Sequence, residues 1–261
     1  MAKVVIDPGH GGSDAGAVNG SYREKDFNLS IALKVREYLR SRYDVNVFMT
    51  RTTDKTVSLR QRTDYANSQN ADYFCSIHIN AGGGTGWESF IYNGSVSNRT
   101  VQAQNVIHRK VMDVLSSKYD VRDRGKKRAN FHVLRETRMS AILLENLFID
   151  TTRDLNLLKN DTFITDLAHA IGEGIADAMS LNPKQSTLYK VIAGSFQSQA
   201  NARARARLLE SNEMDAVVVK ANVSGKTWYR VQAGAFRKRS NAEARLNKIK
   251  KLGIDAFILE T

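Results

Sequence analysis

Val4-Val5-Ile6-Asp7-Pro8-Gly9-His10-Gly11-Gly12 decides how the rest of the chain is read. Its three β-branched apolar residues read as a short buried strand. Asp7-Pro8-Gly9 ends the run with turn chemistry, since proline fixes φ and glycine permits φ > 0. His10 follows at once, and the glycines around it leave room for a ligand to approach the imidazole. Open α/β sheets bind ligands beyond the carboxyl ends of their strands, which is where this histidine falls. A histidine in a glycine-rich turn is ordinary by itself; the remainder of the chain gives it weight.

The same pattern recurs downstream. Tyr73-Phe74-Cys75-Ser76-Ile77-His78-Ile79-Asn80 is apolar nearly throughout, as a central parallel strand would be, and runs into Ala81-Gly82-Gly83-Gly84. Between the two stretches, residues 13–23 read as a loop. Phe27, Ile31, Leu33, Val35, Tyr38 and Leu39 mark a helix, with Asp26 or Asn28 available as its cap. Residues 45–49 read as a strand and 59–66 as a short helix. Further on come a strand at 86–92, a helix at 99–115, a basic loop at 122–128, a short strand at 131–135 and a buried strand at 141–144. Phe163, Ile164, Leu167, Ala168, Ile171, Ile175 and Met179 give an amphipathic helix over 161–179. This alternation predicts an α/β layered domain, its mostly parallel or mixed sheet flanked by helices.

The strand ends would bring chemistry together. His10 and His78 share one sheet edge, Glu24 opens a nearby helix, and Glu145 directly follows an apolar run. A carboxylate there is expensive to bury unless it is paired or bound to a metal. Two imidazoles and one carboxylate form a common catalytic zinc set with a fourth position for water, and a second glutamate would serve as general base. Spacing leaves Glu24, Glu88 and Glu145 all open as the metal carboxylate. His108 and His169 fall in helical patterns and are expected in surface or capping roles. His132, after the basic segment, is a candidate substrate contact.

Composition bounds the rest. The 261 residues suffice for one medium domain and one small one. The single cysteine, Cys75, rules out an internal disulfide or a cysteine zinc cluster, and its apolar setting predicts a buried, inert thiol. No run approaches transmembrane length, and Met1-Ala2-Lys3 enters the first strand without an apolar signal-peptide core. Synthesis in the cytoplasm without a signal peptide is expected, and a monomer. The net charge of +12 is uneven: residues 1–181 carry +3 and residues 182–261 carry +9. A basic second part points to an anionic partner such as nucleic acid, a membrane or a cell-wall polymer.

Leu181-Asn182-Pro183-Lys184-Gln185-Ser186-Thr187 breaks the pattern and reads as a linker at 182–187. Beyond it lies a repeat. Tyr189-Lys190-Val191-Ile192-Ala193-Gly194-Ser195-Phe196 returns forty residues later as Tyr229-Arg230-Val231-Gln232-Ala233-Gly234-Ala235-Phe236. Each copy continues into an Asn-Ala helix start and a final strand. Neither β-α-β unit could bury its sheet face alone; together they predict a ferredoxin-like β-α-β-β-α-β domain.

The first part resembles the zinc-dependent N-acetylmuramoyl-L-alanine amidases of the amidase-3 type, bacterial cell-wall hydrolases. The resemblance spans residues 3–179. It rests on Asp7 to Gly12, Glu24-Lys25, Thr50-Arg51 with Asp54, Leu59 with Arg62, Ala71 to Asn80, and Leu143 to Ile149, without departure at the core positions. It implies His10, Glu24 and His78 as ligands of one Zn2+ and Glu145 as catalytic acid/base. The repeat resembles the SPOR domain, a peptidoglycan-binding module, which implies that residues 188–261 meet glycan strands while residues 1–181 act on the muramyl-peptide. Gln197, Ser198, Gln232, Phe236 and Arg237 are candidates for that contact. The sheet lacks the aromatic pattern of RNA-recognition strands, so nucleic acid is not expected. The implied function is hydrolysis of the N-acetylmuramic acid–L-alanine amide, by a phage endolysin or an autolysin of mother-cell lysis reaching the wall after release or lysis. The alternatives are a zinc peptidase on wall stem peptides and a non-catalytic wall-binding protein.

Overall fold

The computed structural model describes residues 1–184 and 187–261. Contacts divide the chain into units Met1–Lys184 and Gln185–Thr261. The expected linker at 182–187 falls partly on residues 185 and 186, which lie outside the described residues. Its first part is tied to the first unit: Asp44 N–H donates to Asn182 O and Lys184 N–H to Arg42 O.

The first unit runs β1 (Ala2–Pro8), the small hairpin β2 (Val18–Asn19) and β3 (Tyr22–Arg23), α1 (Glu24–Arg42), β4 (Val45–Met49), α2 (Leu59–Ser68) and β5 (Tyr73–Asn80). It continues with β6 (Trp87–Tyr92), α3 (Asn98–Tyr119), β7 (Asp123–Ala129), α4 (His132–Arg135), β8 (Ser140–Phe148), α5 (Thr152–Leu158) and α6 (Asp161–Ala178). Six strands form one sheet in the order β4-β1-β5-β8-β6-β7. The first four are mutually parallel, β6 runs antiparallel to β8, and β7 lies parallel to β6. Val4, Ile6, Cys75, Ile77 and Leu144 pack toward α1, α3 and α6, while Val5, Phe74 and Leu143 pack toward α4 and α2. Burial on both faces explains why β5 is apolar throughout. Among the described residues no helix is long and apolar enough to cross a membrane.

Several expectations need correction. The basic segment is an edge strand, β7, whose Lys126, Lys127 and Arg128 lie in register with Ser89, Phe90 and Ile91. Cations on an edge strand discourage pairing with another chain. Residues 132–135 are a helical turn: Leu134 and Arg135 N–H donate to Phe131 O and Glu136 N–H to His132 O, with Val133 and Leu134 buried beneath it. Neither Asp26 nor Asn28 caps α1: Arg23 holds the cap position, and Asn28 is buried inside the helix. His108 is buried, bonded through Nδ1 to Ser89 Oγ at 2.9 Å and through Nε2 to Asp123 at 2.9 Å. The hairpin β2–β3 and α5 lie where no regular element is expected.

The second unit runs β9 (Tyr189–Phe196), α7 (Gln199–Glu210), β10 (Val217–Val223), β11 (Lys226–Phe236), α8 (Arg239–Lys251) and β12 (Phe257–Glu260). Its strands pair antiparallel in the order β10-β11-β9-β12, the expected ferredoxin-like arrangement. Val191, Ala193, Val231 and Ala233 pack on Ala202, Leu209, Ala242 and Ile249 of the helices. The alternate residues line the other face, where one cross-strand row is Val217, Gln232, Ile192 and Phe257. Of the wall-contact candidates, Gln232 stands on this face, whereas Phe236 packs against the helix-side core and Ser198 caps α7. Gln197 and Arg237 are exposed beyond the strand ends.

Candidate metal centre

Two buried arginines build the loop that carries His10. Arg62 Nη1 donates to Asp7 Oδ1 at 2.7 Å and Pro8 O at 2.6 Å, and its Nη2 to His10 O at 2.7 Å. Arg51 donates through Nε to Pro8 O and through Nη2 to Gly9 O and Lys25 O, the last two at 2.8 Å. Asp7, wholly buried, also accepts from Thr50 Oγ1 and Ser76 Oγ. This network satisfies loop carbonyls that would otherwise be orphaned. It also holds His10 at φ +57°, a backbone state uncommon outside glycine.

His10 and His78 face one carboxylate oxygen. His10 Nε2 lies 3.2 Å from Glu24 Oε1, and His78 Nδ1 lies 3.0 Å from the same atom. Ile79 N–H and Asn28 Nδ2 also donate to Oε1, and Ala17 N–H donates to Oε2. Asn28 therefore orients the glutamate one turn before it. Burial opposes ionisation of Glu24, yet the two histidines hold its carboxyl far below the usual range. Burial likewise opposes a charge on His10, but Glu24 and then Asp14 outweigh it and raise the imidazole to about 9.

His10 Nδ1 donates to Asp14 Oδ2 at 2.8 Å, which leaves Nε2 as the inward nitrogen. Such a carboxylate–histidine contact fixes ring orientation and tautomer. Asp14→Ala is therefore expected to weaken the affinity of the site for a metal ion about 10–100-fold, with little loss of fold stability because Asp14 is largely exposed. Chelator competition and thermal melting measure the two effects. Gly9 sets the other ring: an added Cβ would come 2.3 Å from His78 Cε1 and 2.4 Å from Nε2. Gly9→Ala should displace His78 at a cost of about 1–3 kcal/mol and impair metal retention, as the same competition assay reads.

Glu145 lies beside this trio. Register pairs it with His78 on one side and Glu88 on the other. β8 continues through it, so Glu145 sits within the strand rather than at its end. The ladder bulges just beyond, where Leu147 takes φ +72° and Asn146 Nδ2 donates to His78 O at 2.9 Å. Glu145 Oε2 is buried and has no hydrogen-bond partner among the described residues. Burial, opposed by His78 and reinforced by Glu24 and Glu88, pushes its carboxyl up to about 7. His10, His78, Glu145 and His132 line one cleft of about 430 Å³ that opens between α2 and α4. His132 Nε2 is likewise buried and unpartnered among the described residues.

Glu88 lies away from the trio, engaged by Asn80, Arg124 and Lys127. His169 is exposed and rests against Tyr38. Cys75 is buried and burial raises its thiol pKa, as an inert core residue requires. The Asp7–Arg62–Arg51 network was not expected from the sequence as support for the histidine loop.

The one grouping of three metal-capable residues among the described ones is His10, Glu24 and His78, whose donor atoms lie within 4.8 Å of one another. Two nitrogens and one oxygen suit a zinc ion, and the orphaned Glu145 oxygen beside them fits a site with an open position. Fold and cluster together define a class: a layered α/β protein with a His-Glu-His site able to hold a metal, beside a carboxylate with a buried, unpaired oxygen among the described residues. The N-acetylmuramoyl-L-alanine amidase family model matches residues 4–177, and the chain belongs to that family. A SPOR domain model matches residues 175–260. N-acetylmuramoyl-L-alanine amidase CwlM of Bacillus licheniformis is 48% identical over 220 residues, covering 84% of this chain and 85% of that protein. The endolysin of Bacillus phage SPP1 is 45% identical over 187 residues, covering 70% of this chain and 69% of its own length. The solved catalytic domain of CwlV, an amidase from Bacillus (Paenibacillus) polymyxa var. colistinus, is 34% identical with a TM-score of 0.65. It covers 70% of this chain and 100% of its own.

Proposed function

We propose that the chain hydrolyses the amide between N-acetylmuramic acid and L-alanine in peptidoglycan, using one zinc ion held by His10, Glu24 and His78. The observation that carries this reading is Glu145, which pairs in register with His78 and whose Oε2 is buried and has no partner among the described residues, with its carboxyl raised to about 7. A zinc ion bound there supplies Lewis acidity toward the scissile carbonyl and the attacking water. Glu145 takes a proton at Oε2 from that water and returns it to the departing alanine nitrogen. A carboxyl that titrates near the working pH suits both directions of transfer. Asp14 keeps the His10 ring aligned, and Arg51 and Arg62 keep its loop in place.

The SPOR match supports a second role, that of holding the enzyme on its insoluble substrate. The open face of the second unit, with the row Val217, Gln232, Ile192 and Phe257, is the surface proposed to meet glycan strands. Attachment raises the effective concentration of catalytic domain at the wall. One chain carries all four catalytic groups, so a monomer suffices, acting at the cell wall as an endolysin or autolysin. End-group analysis of digested peptidoglycan tests the reaction. New N-terminal alanine without new reducing ends is expected; amino groups of other residues would indicate a peptidase instead.

A further inference from the structure

The basic edge strand is unused by the mechanism, and its placement assigns it a role in substrate binding. Glu88 is 3% exposed, and both cations on its Oε2 come from β7. Arg124 Nε donates at 2.8 Å and Lys127 Nζ donates beside it, while Asn80 Nδ2 occupies Oε1 at 2.8 Å. One buried carboxylate thus fixes two cations and leaves a surplus positive charge. The Arg124 guanidinium lies over the Phe148 ring at 4.7 Å and the Lys127 ammonium over Phe90 at 5.7 Å. Both side chains keep solvent access, at 25% for Arg124 and 38% for Lys127. Two immobilised cations with donors to spare make a preorganised anion site.

The position is as informative as the charge. Glu88 pairs in register with Glu145, so its two cations, on β7, stand two strands beyond the proton carrier. Phe90 also packs edge-on to Phe131 at 5.4 Å, and Phe131 lines the catalytic cleft. Through Phe90 and Phe131, Lys127 therefore adjoins the cleft wall, with Arg124 beside it on the same Glu88 oxygen. The peptide leaving the proposed reaction begins at the scissile nitrogen and carries free carboxylates on its glutamyl residue and C-terminus. We propose that Arg124 and Lys127, anchored on Glu88, form a carboxylate-binding subsite for that acidic peptide. The inference rests on the amidase reading above.

Two muropeptides that differ only at the glutamyl α-carboxyl, free or amidated, test it. A charge-assisted contact made only by the free acid should favour that substrate about tenfold in kcat/KM, mostly through KM. Lys127→Met should bring the ratio toward one, and Lys127→Arg should restore it; zinc content and melting temperature check each variant's fold. If Lys127→Met does not fold, the parent's ratio read against salt replaces it, and should fall as ionic strength rises. No preference in the parent, or a preference that survives both Lys127→Met and high salt, would overturn the subsite. So would a preference left intact in Lys127→Met while binding of a phosphate-rich wall polymer is lost, which would give the cations to the polymer. Failure of the parent to cleave either muropeptide would instead count against the amidase reading.

Discussion

Glu145→Gln is expected to lower peptidoglycan hydrolysis by about 10²–10⁴-fold, the range of one general acid/base, while sacculus binding and zinc content stay near the parent's. Glutamine keeps the size and one carbonyl acceptor of the glutamate but can neither take nor return a proton at Oε2. Turnover near the parent's would remove Glu145 from the mechanism. The same variant has a second signature in zinc-free protein. Burial raises the Glu145 carboxyl to about 7, from 4.5 in the unfolded chain. The unfolded chain therefore loses this proton first as pH rises. The stability that protonation confers is present below pH 4.5 and is lost by the time pH passes 7. The shift corresponds to about 3 kcal/mol. Zinc-free Glu145→Gln should consequently gain about that much over the zinc-free parent between pH 4 and pH 8, by urea denaturation at each pH.

The second large effect concerns the fold beneath the site. Asp7→Ala should cost about 3–5 kcal/mol, because it leaves Arg62 buried beside Arg51 without its carboxylate. That is a large share of the stability of an ordinary domain. In Asp7→Ala/Arg62→Met both members of that pair are gone and Arg51 keeps its carbonyl acceptors, so much of the loss should return. Zinc affinity should not return with it, since the double variant lacks the Arg62 donor that holds the His10 carbonyl. Denaturant titration and chelator competition separate the two. Equal recovery of both would show that the arginine supports the fold without positioning the histidine.

Much of the site is legible in the sequence because both histidines end apolar runs and meet glycines. A chain that buries β1 and β5 must deliver His10 and His78 to the same sheet edge. Glu24 needed the family resemblance, since spacing alone leaves Glu88 and Glu145 open as well. The arginine network is hidden because α2 inverts the usual pattern: Leu59 is 55% exposed and Arg62 3%. Hydrophobic periodicity places those two residues the other way round. β7 reads as a loop because its side chains are charged, and only the tertiary partners Glu88 and Asn105 show why they sit on a strand. Residues 131–135 are too few for periodicity to separate helix from strand, and the bonds from Leu134 and Arg135 N–H back to Phe131 O make the turn helical.

Zinc titration of chelator-stripped protein, with direct metal analysis after removal of free ion, tests the centre most plainly when parent and His78→Ala are run side by side. One zinc per parent chain, restored release of N-terminal alanine, and no retained zinc in His78→Ala are the expected results. A parent that binds no zinc, or a His78→Ala protein that retains one per chain, would contradict the assignment of His10, Glu24 and His78.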